Sequence, residues 1–96
     1  MRFEWDHRKA RVNARKHNVE FEEAATAFYD ANALIIADPD HSTDEERFIL
    51  IGLSRQGRVL VVCHRLRAQG NSIRLISARK ATAKESQQYW RYCYEA

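Results

Sequence analysis

The sequence predicts a small α+β domain in which an antiparallel sheet is packed by helices, in the order β-α-α-β-β-β-β-α. Three observations predict this fold. The chain has 96 residues, which fit one compact domain. Its 45% hydrophobic content, with 3 Gly and 1 Pro, is typical of a globular protein. Segments with helical spacing of apolar residues precede and follow four strand-like runs. No repeat or linker divides the chain, so we expect a single domain over residues 1–96.

Charge, hydropathy and cysteine content exclude several classes of protein. The longest apolar run, Val59 to Cys63, is far shorter than the ~18 residues of a membrane helix. The N-terminus lacks the apolar stretch of a signal peptide, so we expect a cytoplasmic protein without membrane contact. Two cysteines are too few for a disulfide framework and match no metal or redox spacing. The net charge is +3, with acids concentrated in residues 20–46 and bases elsewhere.

The first elements are a strand and a basic helix. Phe3–Trp5 has strand character, and Asp6 is suited to accept the free N–H groups at the start of a helix that runs through His17. Asn18 tolerates the left-handed conformation that often ends a helix. Most of the surface of this helix is cationic.

A second helix and a strand follow. Apolar residues recur at the spacing of one buried helical stripe, at Phe21, Ala24, Ala25 and Phe28. Residues 33–37 predict a strand that ends at Asp38-Pro39, and residues 38–45 predict an acidic loop.

Two nearly apolar segments, residues 46–51 and 58–64, predict an antiparallel hairpin. If Arg55 and Gln56 form a two-residue loop, Arg47 lies opposite His64. The last strand is predicted at residues 72–78. Thr82 and Glu85 have the spacing of a capping box, which predicts that the final helix starts there.

Familiar enzyme motifs are absent. The chain has no phosphate-binding P-loop, no GxSxG elbow and no HExxH sequence. The acidic segment around His41 matches no EF-hand, and we interpret it as a solvated loop; the alternative is a cation site on Asp38, Asp40 and His41. We therefore expect neither a metal nor a cofactor.

Cationic residues at the strand ends suggest a phosphate-binding surface, because guanidinium groups bind phosphate bidentately and His titrates near neutrality. Arg65 and Arg74 are expected near Arg47 and His64, with Arg55, Arg58 and Arg79 towards the other end of the sheet. The alternative is that these arginines are solvated or paired with the acidic loop.

Three other candidates each have a structural alternative. His17 shares a helix face with small residues and suits the core as well as catalysis. The Tyr89 hydroxyl must reach water or a partner, so its ring could stack on a base or pack inside. Lys9 and Lys16 could simply form a solvated face.

The order of several short motifs resembles the BrnT family of bacterial type II toxins. The motifs span nearly the whole chain: Phe3-Glu4-Trp5-Asp6, Arg15-Lys16-His17, Val19-Glu20-Phe21-Glu22-Glu23-Ala24, Asp38-Pro39-Asp40-His41-Ser42, Glu45-Glu46-Arg47-Phe48 with Ile51-Gly52, Arg58-Val59-Leu60-Val61-Val62, and Ile76-Ser77-Ala78-Arg79-Lys80-Ala81-Thr82. Where the family commonly has Gly and a capping residue, this chain has Asn18 and Glu20.

The resemblance implies a RelE-like fold and an endoribonuclease that inhibits translation. It also implies neutralisation by a ribbon-helix-helix antitoxin of the BrnA type, through which the complex would bind operator DNA. The family pattern matches at Lys16, His17, Arg47 and Arg79, to which we assign possible functional roles.

A metal-free ribonuclease needs a base for the RNA 2′-hydroxyl, cations for the phosphorane and an acid for the leaving oxygen. We expect Arg47 and Arg79 to stabilise charge, and His17 or His64 with Lys16 to transfer protons and position phosphate. RNA binding is expected at further basic and aromatic residues: Lys9, Arg15, Arg58, Arg65, Arg74, Lys80 and Tyr89. The alternative is a non-catalytic module that binds RNA or a protein through the same basic face.

Overall fold

The computed structural model describes residues 1–41, 43–44 and 46–95. The strands are β1 (Arg2–Glu4), β2 (Leu34–Ala37), β3 (Arg47–Leu53), β4 (Val59–Arg67) and β5 (Ser72–Lys80). The helices are α1 (His7–His17), α2 (Phe21–Thr26) and α3 (Ala83–Glu95), with 3-10 turns at Ala27–Tyr29, Pro39–His41 and Ala68–Gly70. The predicted α+β class and element order are confirmed. Ser42 and Glu45 of the predicted acidic loop lie outside the described residues.

The five strands form one sheet in the order β1-β5-β4-β3-β2. Strands β2 to β5 pair antiparallel, as predicted. β1 runs parallel to β5, with Arg2 opposite Ser72, so the sheet is mixed rather than wholly antiparallel. The first strand of the chain therefore pairs with the last.

The β3–β4 hairpin differs from its predicted register by one residue. Arg47 lies opposite Arg65, and His64 lies opposite Phe48. The cause is the turn: the Ser54 N–H donates to the Arg58 carbonyl at 2.8 Å, and Gly57 has φ +83, so the loop holds three residues instead of two. Because side chains alternate along a strand, a shift of one residue moves His64 to the sheet face opposite Arg47.

The core lies between one sheet face and helices α1 and α2. Fully buried Leu50, Leu60 and Val62 alternate along β3 and β4 and pack against Phe21 and other residues of α2. Burying each such side chain stabilises the fold by roughly 1.5–3 kcal/mol. α2 ends at Thr26, earlier than its apolar stripe predicts. Phe28 of that stripe lies on the following 3-10 turn and still packs against the core.

The predicted helix caps are confirmed. Asp6 Oδ1 accepts the backbone N–H groups of Arg8 and Lys9, at 2.8 and 3.1 Å. Asn18 ends α1 with φ 56, in the left-handed region. At α3, Thr82 and Glu85 accept each other's backbone N–H groups at 3.1 and 2.8 Å. None of the helices within the described ranges has the length and apolar character to cross a bilayer.

Candidate functional site

The sheet face opposite the core carries a cavity of about 230 Å³. The pairing places Ile49, Cys63 and Ser77 in one row across β3, β4 and β5, with Val61 beside Arg79 in the row toward the β3–β4 turn. Arg47 and the turn after β2 complete the lining, which we call the arginine cavity: Asp38, Asp40, His41, Arg47, Ile49, Val61, Cys63, Ser77 and Arg79. Arg47 and Arg79, predicted near different ends of the sheet, therefore line the same cavity.

Asp38 organises one side of this cavity. Its Oδ2 accepts from Arg47 Nε at 3.1 Å and from the Cys63 thiol at 3.4 Å, and contacts His41 Nδ1 at 3.1 Å. Its Oδ1 accepts the Asp40 N–H at 3.0 Å. Burial raises the pKa of Asp38, but hydrogen bonds from Asp40, Cys63 and His41 outweigh burial and hold the pKa below its usual value. Asp38 is therefore an ionised, buried carboxylate.

The two cavity arginines are held differently. Arg47 donates its Nε to Asp38 at 3.1 Å; burial lowers the pKa of Arg47, but its contacts with Cys63 and Asp38 outweigh burial and raise it. Arg79 donates Nη1 and Nη2 to the two carboxylate oxygens of Glu85, at 2.8 and 3.0 Å. This pairing raises the pKa of Arg79 and lowers that of Glu85 to about 2. Arg47 thus lines the cavity while Asp38 holds its Nε, whereas both Nη groups of Arg79 are engaged by Glu85 of α3.

Sequence reasoning assigned no role in catalysis to His41, Asp38, Cys63 or Ser77. His41 ends a 3-10 turn that follows β2, and its side chain is 47% exposed. The DPDH segment after β2 predicts a solvated acidic loop or a cation site, and it does not indicate the partners of Asp38, because Arg47 and Cys63 are distant in sequence. Burial raises the pKa of Cys63, so this thiol stays protonated near neutrality.

Lys16 and His17 line a different depression, which we call the α1 groove. Its volume is about 340 Å³, and its lining comprises Arg8, Lys9, Val12, Asn13, Lys16, His17, Ile76 and Ser77. Ser77 lines both the groove and the arginine cavity, so the two depressions adjoin. The predicted catalytic residues are therefore divided: Lys16 and His17 line the α1 groove, and Arg47 and Arg79 line the arginine cavity.

His64 lies in the core, away from the arginine cavity. It is 1% exposed, and its ring packs edge-on against Phe28 at a centroid distance of 4.8 Å and stacks on Phe48 at 6.1 Å. Burial lowers its pKa, although a contact with the Val62 carbonyl opposes this effect. The assignment of His64 to proton transfer is therefore not kept, since a neutral, buried imidazole cannot reach RNA.

Two predicted RNA-binding residues serve structural roles. Tyr89 is 1% exposed and donates its hydroxyl to Asp30, which also accepts the Leu53 N–H at 2.8 Å. Arg58 pairs with buried Glu23 and donates to the Asn18 carbonyl at 3.0 Å. Tyr89 is therefore too buried to stack on a base, and the Arg58 guanidinium is engaged by Glu23.

The remaining predicted RNA-binding residues lie on several surfaces. Arg65 pairs with Asp44 at 2.7 Å, and Arg74 lies 3.8 Å from Glu4. Lys9 lines the α1 groove, whereas Arg15 lines a separate hollow beside Trp5. Lys80 is exposed at the end of β5. The pair of Arg65 with Asp44 supports the alternative of pairing with the acidic loop, whereas the neighbour of Arg74 is Glu4 of β1.

Comparison with known proteins supports one family. The chain resembles the crystal structure of the Brucella abortus ribonuclease toxin BrnT, with 20% identity and a TM-score of 0.66 over 85% of this chain and 97% of that one. This likeness establishes the fold. No curated protein sequence matches the chain. Residues 5–85 match the family described as the ribonuclease toxin BrnT of type II toxin–antitoxin systems. The match covers most of the sequence and agrees with the fold, so the chain belongs to the BrnT family of ribonuclease toxins.

Proposed function

We propose that this toxin is a metal-independent endoribonuclease whose reaction takes place in the arginine cavity. The observation that carries the proposal is that Arg47 and Arg79 line one cavity on the sheet face opposite the core. A phosphodiester gains negative charge as the RNA 2′-oxygen attacks phosphorus, and guanidinium groups stabilise that charge. Asp38 holds Arg47 through Nε, so this ion pair does not engage the two Nη groups, which differ in this respect from those of Arg79.

Arg79 has to exchange partners when RNA binds. Both of its Nη groups are engaged with Glu85, whose side chain is 26% exposed. A phosphate that enters the cavity can bind Arg79 beside the Glu85 carboxylate or replace it, because both groups offer two oxygens to the guanidinium. Glu85 thereby keeps Arg79 in position until a substrate arrives.

The α1 groove is proposed to hold the RNA that flanks the reacting phosphate. It adjoins the cavity at Ser77, and its lining combines the cations Lys9 and Lys16 with the apolar side chains of Val12 and Ile76. Cations bind the backbone, and apolar surface suits a base. Lys16 and His17 then position RNA and are not the groups that act on the reacting phosphate.

Metal independence is supported by the donor groups of the cavity. A hard cation requires several oxygen ligands that converge on it. The carboxylate oxygens of Asp38 instead accept hydrogen bonds from Arg47, Cys63 and the Asp40 N–H. In the described ranges no three side chains of His, Cys, Asp or Glu cluster as metal ligands would. The cations of the reaction are then the arginines themselves.

The family implies an antitoxin, which we propose to be a ribbon-helix-helix protein that covers part of the basic surface. A partner that blocks the cavity competes with RNA for the same arginines, and acidic side chains suit that role. The complex would then bind operator DNA through the antitoxin.

The test uses the purified, antitoxin-free chain and an RNA oligonucleotide in EDTA. We expect shorter fragments with 2′,3′-cyclic phosphate and 5′-hydroxyl ends, and no cleavage at a position that carries a single 2′-deoxy substitution. Arg47→Ala should lose most of the activity, whereas Arg55→Ala, at the exposed hairpin turn, should not. Cutting that is lost in EDTA and restored by a divalent ion would overturn the metal-free mechanism. RNA that is bound but left intact would favour the non-catalytic alternative.

A further inference from the structure

His41 occupies a position in the arginine cavity that no other histidine of this chain shares. All four histidines lie within the described residues. His64 is buried in the core, His17 lines the α1 groove, and His7 lies beside Trp5 in a separate hollow. His41 alone lines the cavity with Arg47 and Arg79. His41 is therefore the histidine that is placed to accept a proton in the arginine cavity.

Asp38 fixes the hydrogen-bonding state of the His41 ring. Asp38 is 4% exposed, and its Oδ2 lies 3.1 Å from His41 Nδ1, whereas the His41 side chain is 47% exposed. An ionised carboxylate can only accept hydrogen bonds, so Nδ1 must carry the proton that joins the two groups. In neutral His41 the lone pair therefore resides on Nε2, the nitrogen that a general base needs.

The same carboxylate also holds Arg47. Its Oδ2 accepts from Arg47 Nε at 3.1 Å, so the histidine and the arginine are fixed relative to each other by one oxygen atom. Cys63 donates to this oxygen as well, and the Asp40 N–H holds Oδ1. A carboxylate that is restrained from four directions can orient an imidazole without moving itself.

We propose that His41 is the general base that removes the proton from the attacking 2′-hydroxyl, and that Asp38 is its positioning residue. The proposal rests on the ribonuclease activity proposed above. Nε2 takes the 2′-hydroxyl proton as the 2′-oxygen forms its bond to phosphorus. The P–O5′ bond breaks, and the leaving 5′-oxygen takes a proton from water. The products are a 2′,3′-cyclic phosphate and a 5′-hydroxyl, and the imidazolium returns its proton to solvent.

Charged and titratable groups of several elements face His41 and set the pH dependence. The carboxylates are Asp38, in contact with Nδ1, and Asp40, on the same 3-10 turn. The cations are Arg47 on β3 and Arg79 on β5, and Cys63 on β4 is a protonated thiol. A general base accepts a proton only in its deprotonated form, so the cleavage rate should rise with pH until that form is fully populated.

The experiment measures the cleavage rate of an RNA oligonucleotide between pH 5 and 9 for the wild type, His41→Ala, Arg79→Ala and His7→Ala. Removing a general base costs roughly 10²–10⁴-fold, so His41→Ala should lose at least 100-fold at neutral pH. Its residual rate should rise about tenfold per pH unit, because hydroxide must replace the base. Added imidazole should partly restore His41→Ala and leave Arg79→Ala unchanged. His7→Ala, an exposed histidine on α1, should match the wild type.

Binding of a 2′-deoxy-substituted RNA that cannot react separates chemistry from binding. His41→Ala should bind this RNA as the wild type does. A His41→Ala protein that cleaves at the wild-type rate with the same pH profile would overturn the assignment while leaving the ribonuclease proposal intact. Activity lost in His41→Ala and restored by neither high pH nor imidazole would show a purely structural role and also overturn it. A wild-type chain that cleaves no RNA would refute the proposed function itself.

Discussion

Asn13 hydrogen-bonds both backbone groups of Ala78, accepting its N–H at 3.0 Å and donating to its carbonyl at 2.8 Å. β1 pairs with β5 only as far as Arg74, so β5 has no strand neighbour on this side at Ala78. The side-chain amide of a helix residue therefore replaces the missing strand. Ala78 immediately precedes Arg79, so this bond also fixes the backbone beside the arginine cavity.

We expect Asn13→Ala to lower the free energy of unfolding by about 1–3 kcal/mol, because it leaves the buried N–H and C=O of Ala78 unpaired. The matched control is Val12→Ala at the neighbouring position. Val12 is 57% exposed, so this substitution should change the free energy of unfolding by less than about 0.5 kcal/mol. Urea denaturation of both variants measures the difference. Equal stability of the two variants would show that water satisfies Ala78 equally well.

Arg79→Ala should reduce activity far more than stability. Its pair with Glu85 is partly exposed, and such pairs contribute at most about 1 kcal/mol. Loss of one donor that stabilises developing charge typically costs about 10²–10³-fold in rate. The comparison needs a cleavage assay and a thermal melt of the same preparation, with Arg55→Ala as control. An Arg79→Ala protein that melts several degrees lower yet remains active would make this residue structural.

The stability contributed by Glu85 should depend on pH in a defined direction. Hydrogen bonds from Arg79 lower its pKa from the usual 4.5 to about 2. A depressed carboxyl pKa stabilises the fold fully above 4.5, and this stability is lost progressively as the pH falls from 4.5 through about 2. Glu85→Gln should therefore be less stable than the wild type at pH 7, and the gap should narrow only below pH 4.5. A gap that stays constant between pH 6 and 3 would refute the ion pair as its cause.

His64 should make the protein less stable in mild acid. Burial lowers its pKa below 6.5, so the unfolded chain binds a proton that the folded chain does not. The resulting stability is present above pH 6.5 and is lost as the pH falls through the folded pKa. His64→Leu should remove this contribution to the slope of unfolding free energy against pH. Identical slopes between pH 7 and 5 for both proteins would show that folding leaves the proton affinity of His64 unchanged and would contradict the lowered pKa.

Association with the antitoxin should slow as salt rises, because the proposed interface covers the cations around Arg47 and Arg79. The Debye length falls from ~10 Å at 0.1 M to ~3 Å at 1 M ionic strength. Association rates across a salt series test this, and Arg47→Ala should reduce the salt dependence. Rates that are flat with salt and unaffected by Arg47→Ala would place the antitoxin elsewhere.

Local signals in the sequence predicted much of the fold. The cap of Asp6, the left-handed Asn18 and the reciprocal bonds of Thr82 and Glu85 depend on residues within four positions of each other. Such short-range hydrogen bonds can be inferred from residue types alone.

The candidate site was harder to predict, because it depends on contacts between distant residues. One extra residue in the β3–β4 loop moved His64 to the face opposite Arg47. The hydrogen bond from Cys63 to Asp38 connects β4 with the turn after β2, and nothing in the DPDH segment indicates it. Arg58 likewise finds Glu23 only after the sheet has packed on α2. Residue types could nominate the arginines, but only the pairing of strands brings Arg47 and Arg79 to one cavity.

The parallel pairing of β1 with β5 has a consequence for synthesis of the chain. Residues 2–4 have no strand to pair with until residues 72–74 have been made, and Arg79 and its partner Glu85 come later still. The N-terminal residues leave the ribosome first, so the earlier elements remain partly folded until β5 has been made. The arginine cavity cannot form in a nascent chain before β5 has been made, because Ser77 and Arg79 line it. This topology ties the appearance of the cavity to the synthesis of residues 72–80.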